Sequence, residues 1–179
     1  RAGPVTRPAS GAARAVLSDE LVPAWPSNMP KPAPAKLPAT RREGAAAIYL
    51  PACINRIFGP SLPEAMVRVS ERAGVPLWIP DDVAGHCCAV PWSSKGLTEG
   101  AEWMSQHTAD AVRRWVGEDG LPVVTDASSC THGLQGFLEG VEVIDSIEWV
   151  HDRVLPQLEL SRKAGAVAVH PPCSVRHLS

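Results

Sequence analysis

Ala46-Ala47-Ile48-Tyr49-Leu50-Pro51-Ala52-Cys53-Ile54-Asn55-Arg56 is the stretch on which the fold turns. Residues 46–50 form an unbroken apolar run, too short for a buried helix and closed by a proline. That is the pattern of a strand buried on both faces. The same texture returns at 75–79, closed by Pro80, and again at 121–125, 141–144 and 166–170. Helical signals lie between these runs. Pro63 opens a helix that reaches about residue 73, with Gly74 as its stop. Over 100–116, Trp103, Met104, His107, Ala111 and Trp115 share one face at three- and four-residue spacing, so the Trp103/Trp115 stripe reads as core. A helix at 134–139 and another at 146–158, capped by Asp145, complete the series. Alternation of this kind predicts an α/β fold with a mostly parallel sheet and helices on both faces.

One strand end has an echo. Pro51, Cys53 and Arg56 follow the first run as Pro171, Cys173 and Arg176 follow the last, at a constant offset of 120 residues. Both windows come directly after an apolar run. The offset predicts a duplicated unit: residues 45–165 are its first copy and 166–179 the start of a second. The chain opens on Arg1 rather than Met, so an N-terminal truncation is expected as well.

Residues 1–44 differ in texture. Residues 1–42 carry seven Lys and Arg against Asp19 and Glu20, and eight prolines fall within the first 40 positions. Pro30-Lys31-Pro32-Ala33-Pro34 reads as an extended, polyproline-like segment, with a short helix near 12–21 before it. This region is expected to be a basic connector from an upstream domain.

The five cysteines carry the chemistry. Cys53, Cys87, Cys88, Cys130 and Cys173 all fall just after expected strands or in the loops that follow. In a parallel sheet those strand ends converge on one edge, where ligands bind. An odd number of cysteines without a secretion signal argues for thiol or metal chemistry in a reducing compartment rather than for a disulfide framework. Soft thiolates gathered on one edge suit an iron–sulfur cluster or zinc.

Cys53, then 33 residues, then Cys87-Cys88 followed by a small residue and a proline, resembles the "CCG" cysteine-rich domain. That family spans heterodisulfide-reductase subunits, the iron–sulfur subunits of glycolate and lactate oxidation, and the C-terminal parts of flavin-linked 2-hydroxy-acid dehydrogenases. The last group is the most similar, through the strings 50–59, Gly85-His86-Cys87-Cys88, Pro91-Trp92-Ser93-Ser94-Lys95-Gly96, Asp126-Ala127-Ser128-Ser129-Cys130 and His170-Pro171-Pro172-Cys173-Ser174. The resemblance covers about residues 45–179. It implies a duplicated α/β fold in a D-lactate-type dehydrogenase, with FAD on an upstream flavin domain. It further implies an iron–sulfur cluster of the 4Fe-4S kind that relays single electrons to a quinone or cytochrome. Cys53, Cys87, Cys88 and Cys130 would be the metal ligands. Cys173 would complete this set or begin the second one. The sequence departs from the family in two places: Ala89 stands where the motif has glycine, and Thr131-His132-Gly133 follows Cys130 where some relatives have a Cys-x-x-Cys.

Charge and hydropathy exclude other classes. The net charge is −2, so nothing points to nucleic acid. No segment approaches the ~20 apolar residues of a membrane span, and a cytoplasmic location, either free or peripheral to a membrane, is expected. The rival reading is a zinc-binding or metal-free docking module. His86, His132 and His170 lie near cysteines and would serve a mixed zinc site, but loop histidines more often bond the backbone. A vicinal Cys87–Cys88 disulfide is a third option. Arg56 and Lys95 would donate to cluster sulfurs or hold an acidic partner, with a structural role for Arg56 equally open. Asp81, Asp82 and Asp126 read as helix caps. Ser128-Ser129 lacks the flanking glycines of a nucleophile elbow.

Overall fold

A computed structural model of the chain describes residues 3–18, 20–23, 30, 32–59, 61–161, 165–171 and 173–174. Four short strands form a sheet in which every pairing is parallel: β1 (Ala47–Leu50), β2 (Leu77–Trp78), β3 (Val123–Thr125) and β4 (Val143–Asp145). Their order is β2-β1-β3-β4. The chain moves outward from β1 to β2, then crosses back to β3 on the other side. The sheet therefore has a switch point between β1 and β3, and the crevice beyond their carboxyl ends is where such sheets bind ligands. All residues of β1 and β3 are buried, as central parallel strands require.

The helices are α1 (Gly3–Val16), α2 (Cys53–Ile57), α3 (Leu62–Arg72), α4 (Val90–Ser93), α5 (Thr98–Val116), α6 (Ser128–Gln135) and α7 (Ser146–Trp149). Helices α4, α5 and α6 lie together, and α3 meets the segment Val150–Val154 that continues α7. With right-handed crossovers, these two groups cover opposite faces of the sheet. Buried Met66 and Val67 of α3 and Ala109, Ala111, Val112 and Trp115 of α5 close the core over the strands. The α3 contact is pinned by the indole of Trp149, which donates to Ser70 Oγ at 3.0 Å. Asp145 caps α7 as the sequence indicates, accepting from the Ile147 amide at 2.9 Å.

Residues 32–44 lie against the body. Pro32 forms a bridge with Phe58, and the Ala33 amide donates to the Ile57 carbonyl at 3.0 Å. Thr40 Oγ1 accepts from the Ile79 amide at 2.7 Å, which occupies a backbone group that edge strand β2 leaves free. Arg42 donates to the Trp115 carbonyl at the end of α5 and pairs with Asp119 at 2.9 Å.

Several sequence expectations change. Residues 166–170 form no strand and are exposed. That run reaches neither sheet edge, and its small apolar side chains have no helix to pack against among the described residues. Of the proposed repeat, Arg176 lies outside the described residues. The N-terminal helix occupies Gly3–Val16 rather than 12–21. The helix expected at 134–139 starts earlier, at Ser128, which places Cys130 in its first turn rather than in a loop. Only Trp115 of the tryptophan pair is core, since Trp103 is 63 % exposed. Trp103 stacks instead on His107, with centroids 4.8 Å apart.

Candidate metal centre

Cys53 begins α2 immediately beyond β1, Cys87 and Cys88 follow the turn after β2, and Cys130 lies in α6 beyond β3. The switch-point geometry brings these four residues together. The Cys88 and Cys130 Sγ atoms are 3.0 Å apart. Cys87 raises the Cys53 thiol, and Cys88 raises the Cys87 thiol, so each cysteine lies within electrostatic range of the next. Cys88 and Cys130 are buried, while Cys53 and Cys87 are partly open.

Cys53, Cys87 and Cys88 are each held in place by contacts to the backbone around them. For Cys53 the device is Asp126, just past β3. Its carboxylate accepts from the Ala52 amide and from the Tyr49 hydroxyl, both at 2.6 Å, and its carbonyl accepts from Asn55 Nδ2 at 3.3 Å. Asp126 therefore ties the carboxyl end of β1 to that of β3. It does not cap α6 as the sequence suggests, because the N-cap is Ala127 with no side-chain bond. For Cys87 the device is Thr108, buried in α5. Its hydroxyl accepts from the Cys87 amide at 3.2 Å and donates to the Cys87 carbonyl at 3.0 Å.

Cys88 depends on two backbone features. Ala89, next in sequence, has φ of 62° and is the only non-glycine with positive φ among the described residues. This is the position of the motif glycine. The left-handed conformation that favours glycine is thus kept by an alanine, at a cost of about 1–2 kcal/mol. The second feature is Gly133, one turn beyond Cys130 on α6. A Cβ there would lie 2.8 Å from the Cys88 carbonyl oxygen and 2.5 Å from a Val90 methyl. Only glycine lets α6 approach the double-cysteine loop this closely.

Arg56 clamps the turn leading to Cys87, donating to the carbonyls of Val83 at 3.2 Å and His86 at 3.0 Å. Its Nε is buried without a hydrogen-bond partner. This is the structural role for Arg56. Its charge also lies near Cys53 and works against the upward push of burial and of Cys87 on that thiol. Lys95 is exposed in the loop after α4. His86 is buried, and its ring stacks on His107 at 4.6 Å and meets Trp115 edge-on at 4.9 Å. Burial, followed by the neighbouring His107, lowers its pKa. The His86 ring thus belongs to an aromatic column that ends at exposed Trp103. Asp82 serves that column by accepting from the Trp115 indole at 2.8 Å, and it makes no side-chain cap.

Cys173 is exposed. Its neighbour Ser174 hydrogen-bonds Ser128 at 2.7 Å, which brings the 173–174 turn to the start of α6, two residues before Cys130. His132 and His170 are also exposed.

The donor set consists of sulfur only, and its electrostatics resist charge. The Cys88 thiol is pushed up to about 11, chiefly by its bond to Cys130. Cys87 is driven higher, first by the neighbouring Cys88 thiol and then by burial. Cys53 is raised by burial and by Cys87. Neutral thiols gathered in this way are what a cation would deprotonate on binding. Four thiols from three strand ends fit a thiophilic cofactor in type and number. Among the described residues, however, no group of three or more Cys, His, Asp or Glu is arranged as a site for a single metal ion.

These features define a parallel α/β domain that collects thiols at the switch point of its sheet. Among curated proteins, the chain is similar to one of the subunits of the anaerobic glycerol-3-phosphate dehydrogenase of Escherichia coli, in strains K12 and O157:H7 alike. Identity to each is 23 % over 141 residues, covering 70 % of this chain and 34 % of the relative. The chain thus spans about a third of the length of these relatives. No protein-family model and no solved structure matches it. Among the described residues, no helix is long and apolar enough to cross a membrane.

Proposed function

We propose that this chain is part of the electron-transfer subunit or domain of a dehydrogenase, and that Cys53, Cys87, Cys88 and Cys130 hold an iron–sulfur cluster of the 4Fe-4S kind. The observation that carries the reading is the 3.0 Å approach of Cys88 and Cys130, with Cys87 coupled to Cys88 and Cys53 coupled to Cys87, across three strand ends. The name of the curated relatives gives it a dehydrogenase context. The sequence resemblance favours a D-lactate-type, FAD-linked enzyme, whereas the relatives belong to a glycerol-3-phosphate dehydrogenase. Dehydrogenation with onward electron transfer is the reading that accommodates both.

When bound, a cluster of this kind supplies a one-electron store. The chain's own residues do the rest. Asp126 and Thr108 fix the backbones that present Cys53 and Cys87. Gly133 and the left-handed Ala89 let Cys88 meet Cys130 behind a seal of core side chains. The four thiols give up their protons on ligation, and Arg56 offsets part of the negative charge that results near Cys53. Cys173, delivered beside α6 by Ser174, stands in reserve as a further ligand. FAD would reside on an upstream domain, and the acceptor would be a quinone or cytochrome, with the chain in the cytoplasm or peripheral to a membrane.

The test is anaerobic reconstitution of the chain with iron and sulfide, followed by iron and sulfide analysis and EPR after reduction. The expected result is a brown protein with a stoichiometric cluster signal, and loss of that signal in the Cys53→Ser and Cys130→Ser variants. Stoichiometric zinc with no iron uptake and no EPR signal would refute the reading and leave a structural docking module.

A further inference from the structure

The thiols also fall into pairs, and one pair spans the fold. Cys88 belongs to the loop after β2, and Cys130 to the helix after β3, 42 residues away. Their sulfurs are 3.0 Å apart and they are only 4 % and 7 % exposed. The approach does not depend on chance side-chain placement. Gly133 removes the Cβ that would hold α6 off, leaving its backbone against the Cys88 carbonyl, and the αL turn at Ala89 aims the loop at that gap. The vicinal alternative, Cys87–Cys88, requires a strained eight-membered ring, whereas the Cys88–Cys130 pair closes a large loop without one.

We propose that Cys88 and Cys130 form a reversible intradomain disulfide when the domain carries no metal and meets a peroxide. One sulfur, as thiolate, attacks an oxygen of hydrogen peroxide. The O–O bond breaks, giving a sulfenic acid and hydroxide, which takes up a proton to become water. The second sulfur then displaces the hydroxyl from the sulfenic sulfur, forming the S–S bond and a second water. Two thiols and one peroxide thus become one disulfide and two waters. A dithiol donor such as a thioredoxin reverses the step by exchange. Locked in this way, the two thiols that would bind metal deepest in the site are withdrawn from ligation and protected from further oxidation.

The inference is independent of the cluster reading, because it is tested on metal-free protein. The full chain is treated with a chelator, exposed to one equivalent of hydrogen peroxide, alkylated and digested with trypsin. The expected product is a cross-linked pair of peptides 73–95 and 115–153, lighter than their sum by two hydrogens, and resolved by dithiothreitol. Tandem fragmentation places the bond at Cys88. The Cys87→Ser variant keeps the cross-link and Cys130→Ser loses it. A bond within peptide 73–95 alone, a bond from Cys53 as the main product, or full alkylation of Cys88 and Cys130 after peroxide would each overturn the proposal.

Discussion

Replacing Gly133 with alanine sets two effects against each other, and the structure decides between them. In an ordinary helix interior, glycine to alanine stabilises by about 0.8–1 kcal/mol through lower backbone entropy. Gly133 lies inside α6, so propensity alone favours the substitution. The added methyl, however, would sit 2.8 Å from the Cys88 carbonyl oxygen and 2.5 Å from the Val90 methyl. Val90 could turn aside, but the carbonyl is backbone in a loop that Thr108 grips on one side of Cys88 and the left-handed Ala89 fixes on the other. Overpacking of this kind costs about 1–3 kcal/mol. Because one of the two clashes is with backbone, the upper half of that range applies, about 2–3 kcal/mol, and the net expectation for Gly133→Ala is a loss of about 1–2 kcal/mol. With a urea dependence of about 2 kcal/mol per molar, the unfolding midpoint should fall by about 0.5–1 M, as followed by tryptophan fluorescence. Gly85→Ala is the matched control, because a Cβ there meets nothing within 4 Å. It should leave the midpoint unchanged or slightly raised. A Gly133→Ala protein as stable as the parent would show that α6 is not held against the double-cysteine loop.

Three further outcomes follow from the same contacts. Asp126→Ala removes an acceptor from the Tyr49 hydroxyl and the Ala52 amide and should cost about 3 kcal/mol or more, since each bond to a carboxylate contributes about 1.5–3 kcal/mol; an equilibrium loss under about 1 kcal/mol would remove Asp126 as the tie between β1 and β3. Burial, then the charge of Asp126 and the bond to it, raise the folded pKa of Tyr49 above its unfolded value. The stability this hydroxyl contributes is therefore complete below about pH 10 and falls above it, by up to about 1.4 kcal/mol per pH unit. The raised thiols add to that decline, so the measurement is a comparison: urea midpoints of Tyr49→Phe should fall less steeply between about pH 9.5 and 11 than those of the parent, and parallel curves would contradict the assignment. Ala89→Gly should raise the thermal midpoint, because relief of the left-handed alanine, about 1–2 kcal/mol, exceeds the added entropy of the unfolded chain, about 0.4–1 kcal/mol; a lower midpoint would mean that the alanine is not strained.

The sheet was legible because its strands lie in short, largely apolar runs and its helices open and close on proline, glycine and aspartate. Asp145 caps α7 where the sequence places it. The convergence of Cys53, Cys87, Cys88 and Cys130 followed from parallel topology alone, since each cysteine follows a strand on the same edge. What the sequence could not reveal lies in contacts between distant residues. Thr108 resembles any threonine of a polar helix turn until its hydroxyl is seen on the backbone of Cys87. Gly133 carries no local signal for a close approach, although a glycine three residues after a cysteine, inside a helix, is a pattern worth testing for one. Residues 166–170 misled because alternating alanine and valine suit a strand, but a strand also needs a partner edge and a covering layer. Trp103 misled for a related reason: helical spacing gives the face of α5, not how far along that face the core extends. The buried residues of α5 begin only at Thr108, and the Trp103 indole stacks on His107 instead.

The placement of the thiols has one physical consequence that no single cysteine reveals. None of the groups that position them is itself a thiol: Asp126 sets the Cys53 helix, Thr108 the Cys87 backbone, Gly133 and Ala89 the Cys88 loop, and Arg56 the turn before it. These devices act on backbone atoms and depend on burial and sterics rather than on any bond through sulfur. The scaffold that presents the thiols therefore rests on these contacts and on the hydrophobic core of the sheet, which meets the ordering entropy of the site. On the reading proposed above, this division of labour would let the sulfurs exchange one another for metal or for a covalent cross-link while these backbone contacts stay as they are.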